Sequence, residues 1–93
     1  HQITVPTMLQ LYASVLVKKK AWDLALNRLS ELKQMYFAAN TDDEQKLLAM
    51  GLPSLKSFFD LAMSVLKKHP DIKPENWFGE IKRLKPVFDN MLL

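Results

Sequence analysis

The chain has 93 residues, a length that suits one domain and is too short for two independent cores. Apolar residues make up 48% of it and charged residues 25%, so it can build a buried core and is not of the disordered class. It has no cysteine, which excludes disulfides, a thiolate nucleophile, a thiolate zinc site and an iron–sulfur cluster. The 13 Lys and Arg against 10 Asp and Glu give a net charge of +3, which is compatible with acidic partners.

The chain carries no apolar run of the roughly 18 residues that a membrane-spanning helix needs, and its start lacks the layout of a secretory signal, so we expect no membrane insertion. We expect residues 1–93 to form a single helical domain. Because the chain opens at His1 rather than at methionine, we interpret it as a fragment of a longer protein.

An apolar stripe predicts the first helix, over residues 5–19. Its members recur at steps of three and four residues: Val5, Met8, Leu9, Tyr12, Val15 and Leu16. Pro6 suits the first turn and Thr4 is a candidate cap. Leu11 and Val17 widen the stripe, which predicts a central helix that is contacted on more than one side.

A second helix follows three lysines whose charge lies beside the negative end of the first helix dipole. Its apolar face is predicted to hold Trp22, Ala25, Leu26, Leu29, Leu32 and Tyr36. The opposite face is predicted to be polar, with Asp23, Asn27, Arg28, Glu31 and Lys33. The short connection makes the two helices antiparallel neighbours.

The run Thr41-Asp42-Asp43-Glu44 has the spacing of a capping box and predicts a short third helix. The same acids could be interpreted as a metal-ligand cluster, but hard cations require six or more oxygens from a looped chain, so capping is preferred. Gly51 and Pro53 end this helix and start a fourth. The fourth helix has the apolar residues Leu55, Phe58, Phe59, Ala62, Val65 and Leu66.

The last predicted helix begins near Pro74, with Trp77, Phe78, Ile81, Leu84 and Phe88 on one face. Pro86 removes the hydrogen bond to the carbonyl of Lys82, so this helix is predicted to be kinked or broken near Pro86. All periodicity in the chain is helical. The predicted fold class is therefore all-α, a four- to five-helix up-and-down bundle.

The sequence lacks the common enzyme motifs: a glycine-rich phosphate loop, a His-Glu-x-x-His pair and a Gly-x-Ser-x-Gly elbow. His1 is terminal, and His69 ends a helix, where it is interpreted as a cap rather than a general base. Trp22 and Trp77 could stack on a ligand, but their places on apolar stripes predict core positions. We therefore predict a protein that is not an enzyme, with no catalytic residue, no cofactor and no metal.

Basic residues are the candidate partner-binding residues. If the third and fourth helices make one bent traverse of the bundle, the ends of the first and fourth helices meet at one pole. That pole would gather Lys18, Lys19, Lys20, Lys67 and Lys68. A separate group on the last helix holds Lys82, Arg83 and Lys85. The alternative is that lysines at helix ends only offset the helix dipoles.

The stretch Asn76-Trp77-Phe78-Gly79-Glu80-Ile81-Lys82-Arg83-Leu84 resembles the Asn-Trp-apolar-x-Gly-Val-Lys-Arg-Leu-Ile signature of one small helical domain family. That domain is shared by the C-terminus of the rod-forming COPII outer-coat subunit and by the steroid receptor RNA activator protein. Residues 4–7 and 20–25 resemble its opening and its basic turn. Gly79 stands one place early, and residues 40–75 add at least one helix to the family pattern.

This resemblance implies a scaffold domain that helps neighbouring coat units associate in the cytoplasm, on vesicles leaving the endoplasmic reticulum. Its activator-protein branch implies a binding module with RNA affinity. Our hypothesis is a non-enzymatic protein-interaction domain that meets an acidic segment or a neighbouring subunit through the candidate basic residues. Two alternatives stay open: an RNA-binding helical module that uses the basic pole, and a regulatory domain of a larger enzyme. Salt dependence distinguishes the protein-interaction hypothesis from the RNA-binding alternative, because phosphate binding weakens steeply as the salt concentration rises.

Overall fold

The computed structural model describes residues 4–93 and forms helices without any strand in that range. His1, the terminal histidine, lies outside the described residues. The helices are α1 (Val5–Lys18), α2 (Trp22–Ala39), α3 (Glu44–Ala49), α4 (Leu55–Leu66), α5 (Pro74–Gly79), a 3₁₀ turn (Lys82–Leu84) and α6 (Lys85–Leu92). The prediction of an all-α bundle is confirmed. The described residues hold six α-helices because the predicted last helix is divided into α5 and α6.

Helices α1 and α2 form an antiparallel pair. Thr4 caps α1 as predicted, since its hydroxyl accepts a hydrogen bond from the Thr7 amide at 3.3 Å. Lys20 turns the chain between the helices with a left-handed backbone, φ 60°. Ala13 and Ala25 are fully buried, and such small side chains let neighbouring helices approach closely.

The predicted capping box at the start of α3 is wrong. Asp43 rather than Thr41 caps this helix, since its carboxylate accepts from the Gln45 amide at 2.9 Å. The Thr41 hydroxyl accepts from the Asp43 amide at 3.2 Å. The Glu44 carboxylate accepts from the amide of Leu55, the first residue of α4, at 3.0 Å. The acids therefore satisfy free amides at the starts of two helices, where negative charge is favourable.

Gly51 closes the connection between α3 and α4 with φ +83°, a backbone conformation that favours glycine. Its carbonyl accepts a hydrogen bond from the Thr4 hydroxyl at 2.6 Å. A Cβ atom at Gly51 would lie 2.4 Å from Cγ2 of Thr4. The missing side chain is thus what lets the start of α1 pack on this connection.

Helix α4 supplies the centre of an aromatic core. The ring centroid of Phe58, which is fully buried, lies 4.7 Å from that of Tyr36 and 5.9 Å from that of Trp77. Phe78 packs on Trp77 at 5.0 Å in an edge-to-face geometry. Trp77 is 7% exposed, so its predicted core position is confirmed. Trp22 is only partly buried, so its predicted core position is only partly right.

The predicted last helix is broken, as expected, and the break comes before Pro86. Helix α5 ends at Gly79, and a 3₁₀ turn precedes α6. Pro86 then occupies the first turn of α6, where backbone amides have no partner within the helix, so the missing amide hydrogen costs no hydrogen bond. Since the proline ring clashes with an α-helical carbonyl four residues back, the chain cannot run through Lys82 as a regular helix.

Candidate functional site

The exposed side of α1 is apolar, whereas the sequence predicts that the apolar stripe of this helix packs inside the bundle. Its members are between 50% and 60% exposed, and we call them the α1 apolar face: Val5, Met8, Leu11, Tyr12 and Val15. At 100° per residue they span an arc of about 120° on one side of the helix. Only Ala13 and Leu16 of α1 are buried. The prediction of a central first helix is therefore wrong, and α1 lies at an edge of the bundle.

The inner side of α1 is also largely apolar, since Leu9 and Val17 pack against the core beside the buried residues, but it carries one polar residue, Gln10. The amide Nε2 of Gln10 donates to the Ser57 hydroxyl of α4 at 3.1 Å. The amide oxygen of Gln10 is buried and has no partner within residues 4–93. A surface helix ordinarily turns its polar side to water and its apolar side to the core. Helix α1 instead carries apolar residues on both sides, and the apolar side that stays in water is a candidate interaction surface.

Arg28 of α2 lies at the border of the α1 apolar face. The Arg28 guanidinium of α2 lies 5.3 Å from the ring centroid of Tyr12 and pairs with Glu31 at 2.8 Å. A shallow cavity of about 290 Å³ lies here and is lined by Val5, Met8, Leu9, Tyr12 and Arg28. No Asp or Glu occurs in α1, and lysines follow at its end. A partner on this face therefore meets apolar surface, an ion pair at its border and the positive charge of the lysines that follow α1.

The predicted lysine pole forms where α1 and α4 end. All of its members are exposed: Lys18, Lys19, Lys20, Lys67 and Lys68. Lys20 and Lys68 line one shallow cavity of about 340 Å³ together with Trp22. The ammonium of Lys68 lies 5.3 Å from the ring centroid of Trp22. The ends of α1 and α4 thus lie at the same pole, as the sequence predicts.

His69 joins the start of α2 to the end of α4 beside this pole. Its Nδ1 lies 3.0 Å from the Val65 carbonyl oxygen, and its Nε2 lies 2.8 Å from the Asp23 carboxylate. The hydrogen bond to Val65, followed by the one to Asp23, raises the pKa of His69. The imidazole is thereby held as a link between two helices, which agrees with the predicted capping role.

Lys82 and Arg83 lie elsewhere, on the 3₁₀ turn. They line a cavity of about 440 Å³ with residues from the end of α2, and we call it the aromatic groove: Tyr36, Phe37, Ala38, Asn40, Thr41, Ile81, Lys82 and Arg83. Helix α2 has 18 residues, so its two ends are about 27 Å apart. The candidate basic residues therefore divide between two separate surfaces. Sequence reasoning missed Phe37, which is 58% exposed and lies outside the apolar period of α2.

Lys33 was predicted on the solvated face of α2, and this prediction is wrong. Its side chain is only 5% exposed, and its ammonium lies 2.5 Å from the Glu80 carboxylate. The same nitrogen lies 4.2 Å from the centroid of the Trp77 ring. Lysine packs its aliphatic stem on apolar surface while its charge stays paired. Lys33 therefore clamps α5 onto α2 and is not a free cation.

Within residues 4–93, no group of three or more His, Cys, Asp or Glu side chains could hold a metal ion. None of the described helices is both long and apolar enough to cross a membrane. The fold class is an all-α helical bundle. Comparisons with family models, curated proteins and solved structures found no match for this chain. The resemblance of residues 76–84 to the coat-subunit domain stays a prediction.

Proposed function

We propose that this chain is a non-enzymatic protein-interaction domain that binds a partner helix on the α1 apolar face. The observation that carries the proposal is the apolar surface that α1 leaves in water, since Val5, Met8 and Tyr12 are each more than half exposed. Apolar surface left in water costs free energy that a partner would recover on binding. An interaction surface of this kind needs no catalytic group, cofactor or metal.

The spacing of the exposed residues favours a helical partner. Val5, Met8, Tyr12 and Val15 follow one another at steps of three, four and three residues. This is the seam along which two helices pack their side chains together. A helical ligand with matching apolar residues is a common way of filling such a face.

The charge around the seam favours acidic residues on that partner. Lysines follow the end of α1, which itself carries no acid, while Arg28 at the border of the face is paired with Glu31. Complementary charge steers association and fixes the register of the bound helix. A second copy of this chain would bring the same acid-free helix, so it fits this border less well than an acidic partner.

The biological setting follows from the resemblance of residues 76–84 to the coat-subunit domain. We propose from it that the domain acts as a scaffold between neighbouring units of a vesicle coat, in the cytoplasm and at membranes derived from the endoplasmic reticulum. The interaction surface on α1 supports a scaffolding role of this kind. The proposal that α1 binds a partner does not depend on the resemblance.

The test uses a photo-reactive benzoylphenylalanine in place of Tyr12, introduced into the full-length protein in cells. The same group in place of Ser64, which is exposed on α4, is the matched control. We expect a specific cross-linked partner from the first site and none from the second. Equal cross-linking at both sites would contradict the proposal.

The purified partner is then titrated against a variant with Met8→Glu and Val15→Glu. Both side chains are half exposed or more, so the variant should fold normally. We expect its affinity to fall by about 100-fold, since two central contacts are lost and negative charge faces acids. Gln45→Glu with Ser64→Glu adds the same charge elsewhere and should leave the affinity unchanged.

Sedimentation of the free domain tests the competing occupant. We expect a monomer across the accessible concentration range. A dimer that disappears in the Met8→Glu and Val15→Glu variant would assign the α1 apolar face to a second copy and contradict the proposed partner.

RNA binding at the lysine pole is the second candidate function. It is favoured by the shallow cavity in which Lys20 and Lys68 flank Trp22, since lysines contact phosphates and an indole stacks on bases. The test is a fluorescence-anisotropy titration of a labelled mixed-sequence RNA at two salt concentrations. Saturable binding that weakens steeply with salt supports this function. No binding at about 100 µM, the weak end of nonspecific affinity, would exclude it.

A further inference from the structure

We infer that the aromatic groove is a second docking site, which takes an acidic peptide segment with one apolar anchor side chain. The groove lies at the end of α2 opposite to the lysine pole and shares no residue with the α1 apolar face. This inference rests on the proposed function only in assuming that the domain binds proteins.

The shape of the groove suits an anchored side chain. Its volume of about 440 Å³ lies within the range of known small-molecule binding pockets. Ala38 and Ile81 line it, and Phe37 is 58% exposed beside them. An aromatic side chain at a surface supplies much apolar contact area for little loss of conformational freedom. The groove therefore offers an apolar floor with an aromatic side.

The charge on the rim selects the ligand. Neither Lys82 nor Arg83 forms an ion pair within residues 4–93. The next basic residue, Lys85, differs, since it pairs with Asp89 at 2.6 Å. A guanidinium presents paired donors that match the two oxygens of a carboxylate. The rim thus carries free cations beside the apolar floor, which fits an apolar side chain flanked by acids.

A peptide fits the groove better than a nucleic acid does. Asp42 and Asp43 follow directly on Thr41 of the groove and are both exposed. A nucleic acid carries a phosphate at every nucleotide and needs a continuous basic track, which these acids interrupt. A peptide needs only the carboxylates that face Lys82 and Arg83.

A second site gives the domain a physical means of acting as a scaffold. The α1 apolar face and the aromatic groove can hold two segments at once because they share no residue. If both segments belong to one partner, the second binding event becomes intramolecular and the overall affinity rises without new contacts.

The test is an NMR titration of the isotope-labelled domain with a synthetic peptide in which glutamates flank a single tryptophan. We expect shifts of the amides of Phe37, Asn40, Thr41, Lys82 and Arg83. A control peptide with glycine in place of the tryptophan should bind at least about tenfold more weakly. Shifts that avoid the groove, or no shifts at all, would overturn the inference.

Variants then separate the site from general charge attraction. Lys82→Gln with Arg83→Gln, and separately Phe37→Ser, should each weaken the peptide by about tenfold or more. Lys67→Gln with Lys68→Gln removes the same charge at the other pole and should change the affinity less than about twofold. Equal loss in both charge variants would overturn the inference, and so would tighter binding of a labelled RNA through the same groove residues.

The variant with Met8→Glu and Val15→Glu distinguishes this inference from the proposed function. It should leave peptide binding at the groove unchanged while it weakens binding on α1 by about 100-fold. Loss of peptide binding in this variant would place the peptide on the α1 apolar face and overturn the second site.

Discussion

Replacing Trp77 with alanine should lower the free energy of unfolding by about 3–5 kcal/mol, the usual cost of deleting a buried indole. The side chain is 7% exposed and packs on Phe58 and Phe78, with ring centroids 5.9 Å and 5.0 Å away. Its ring also faces the ammonium of Lys33, a contact worth about 0.5–2 kcal/mol that the variant loses. A domain of 93 residues has about 5–14 kcal/mol of stability in total. The substitution therefore removes a large share of it.

Urea unfolding followed by far-ultraviolet circular dichroism measures this loss, because the helical signal does not depend on the deleted indole. Trp77→Phe is the matched control, since it keeps a ring against Phe58 and should recover much of the loss. An unchanged unfolding midpoint in Trp77→Ala would mean that the indole is exposed in solution. That result would refute the packing of α5 on α2 and α4.

The remaining predictions also concern stability. Gly51→Ala should destabilise the fold by about 1–3 kcal/mol in urea unfolding, because a Cβ there meets Thr4 in a strained backbone; Gly79→Ala, with open space around its Cβ, is the control and should be near neutral. The raised pKa of His69 stabilises the fold fully below its unfolded pKa of about 6.5, so unfolding midpoints should fall as pH rises from there through the folded pKa. His69→Gln should abolish that slope, and a slope that persists would assign it to another group. Calorimetry should show little change, within about 0.5 kcal/mol per site, after glutamine replaces the exposed lysines Lys18, Lys19 and Lys20.

The sequence predicts the helices well because each of them depends on local rules. The apolar period places α1, α2 and α4, capping residues support α1 and α4, and Pro86 requires a break in the last predicted helix whatever packs around it. The lysine pole can also be predicted, since alternate helices of an up-and-down bundle run in the same direction, so that α1 and α4 end at the same pole. These features follow from neighbours along the chain.

The capping of α3 shows where local rules compete. Thr41, Asp43 and Glu44 all suit a helix start, and the sequence alone does not rank them. The position of Leu55 at the start of α4 determines which residue caps α3, because the free Leu55 amide donates a hydrogen bond to the Glu44 carboxylate. Asp43 then caps α3 by itself.

Periodicity shows that a helix has an apolar side, but it does not show whether the bundle has room for that side. Met8 and Tyr12 follow the same period as Leu16, yet only Leu16 is buried, because α2 and α4 cover just one flank of α1. Lys33 is the converse case, since a lysine at the edge of an apolar stripe becomes buried once α5 brings Glu80 within reach. Both outcomes depend on contacts between residues far apart in sequence. The sequence by itself thus determined the helices and their ends, and only the tertiary structure decided which apolar side is left free for a partner.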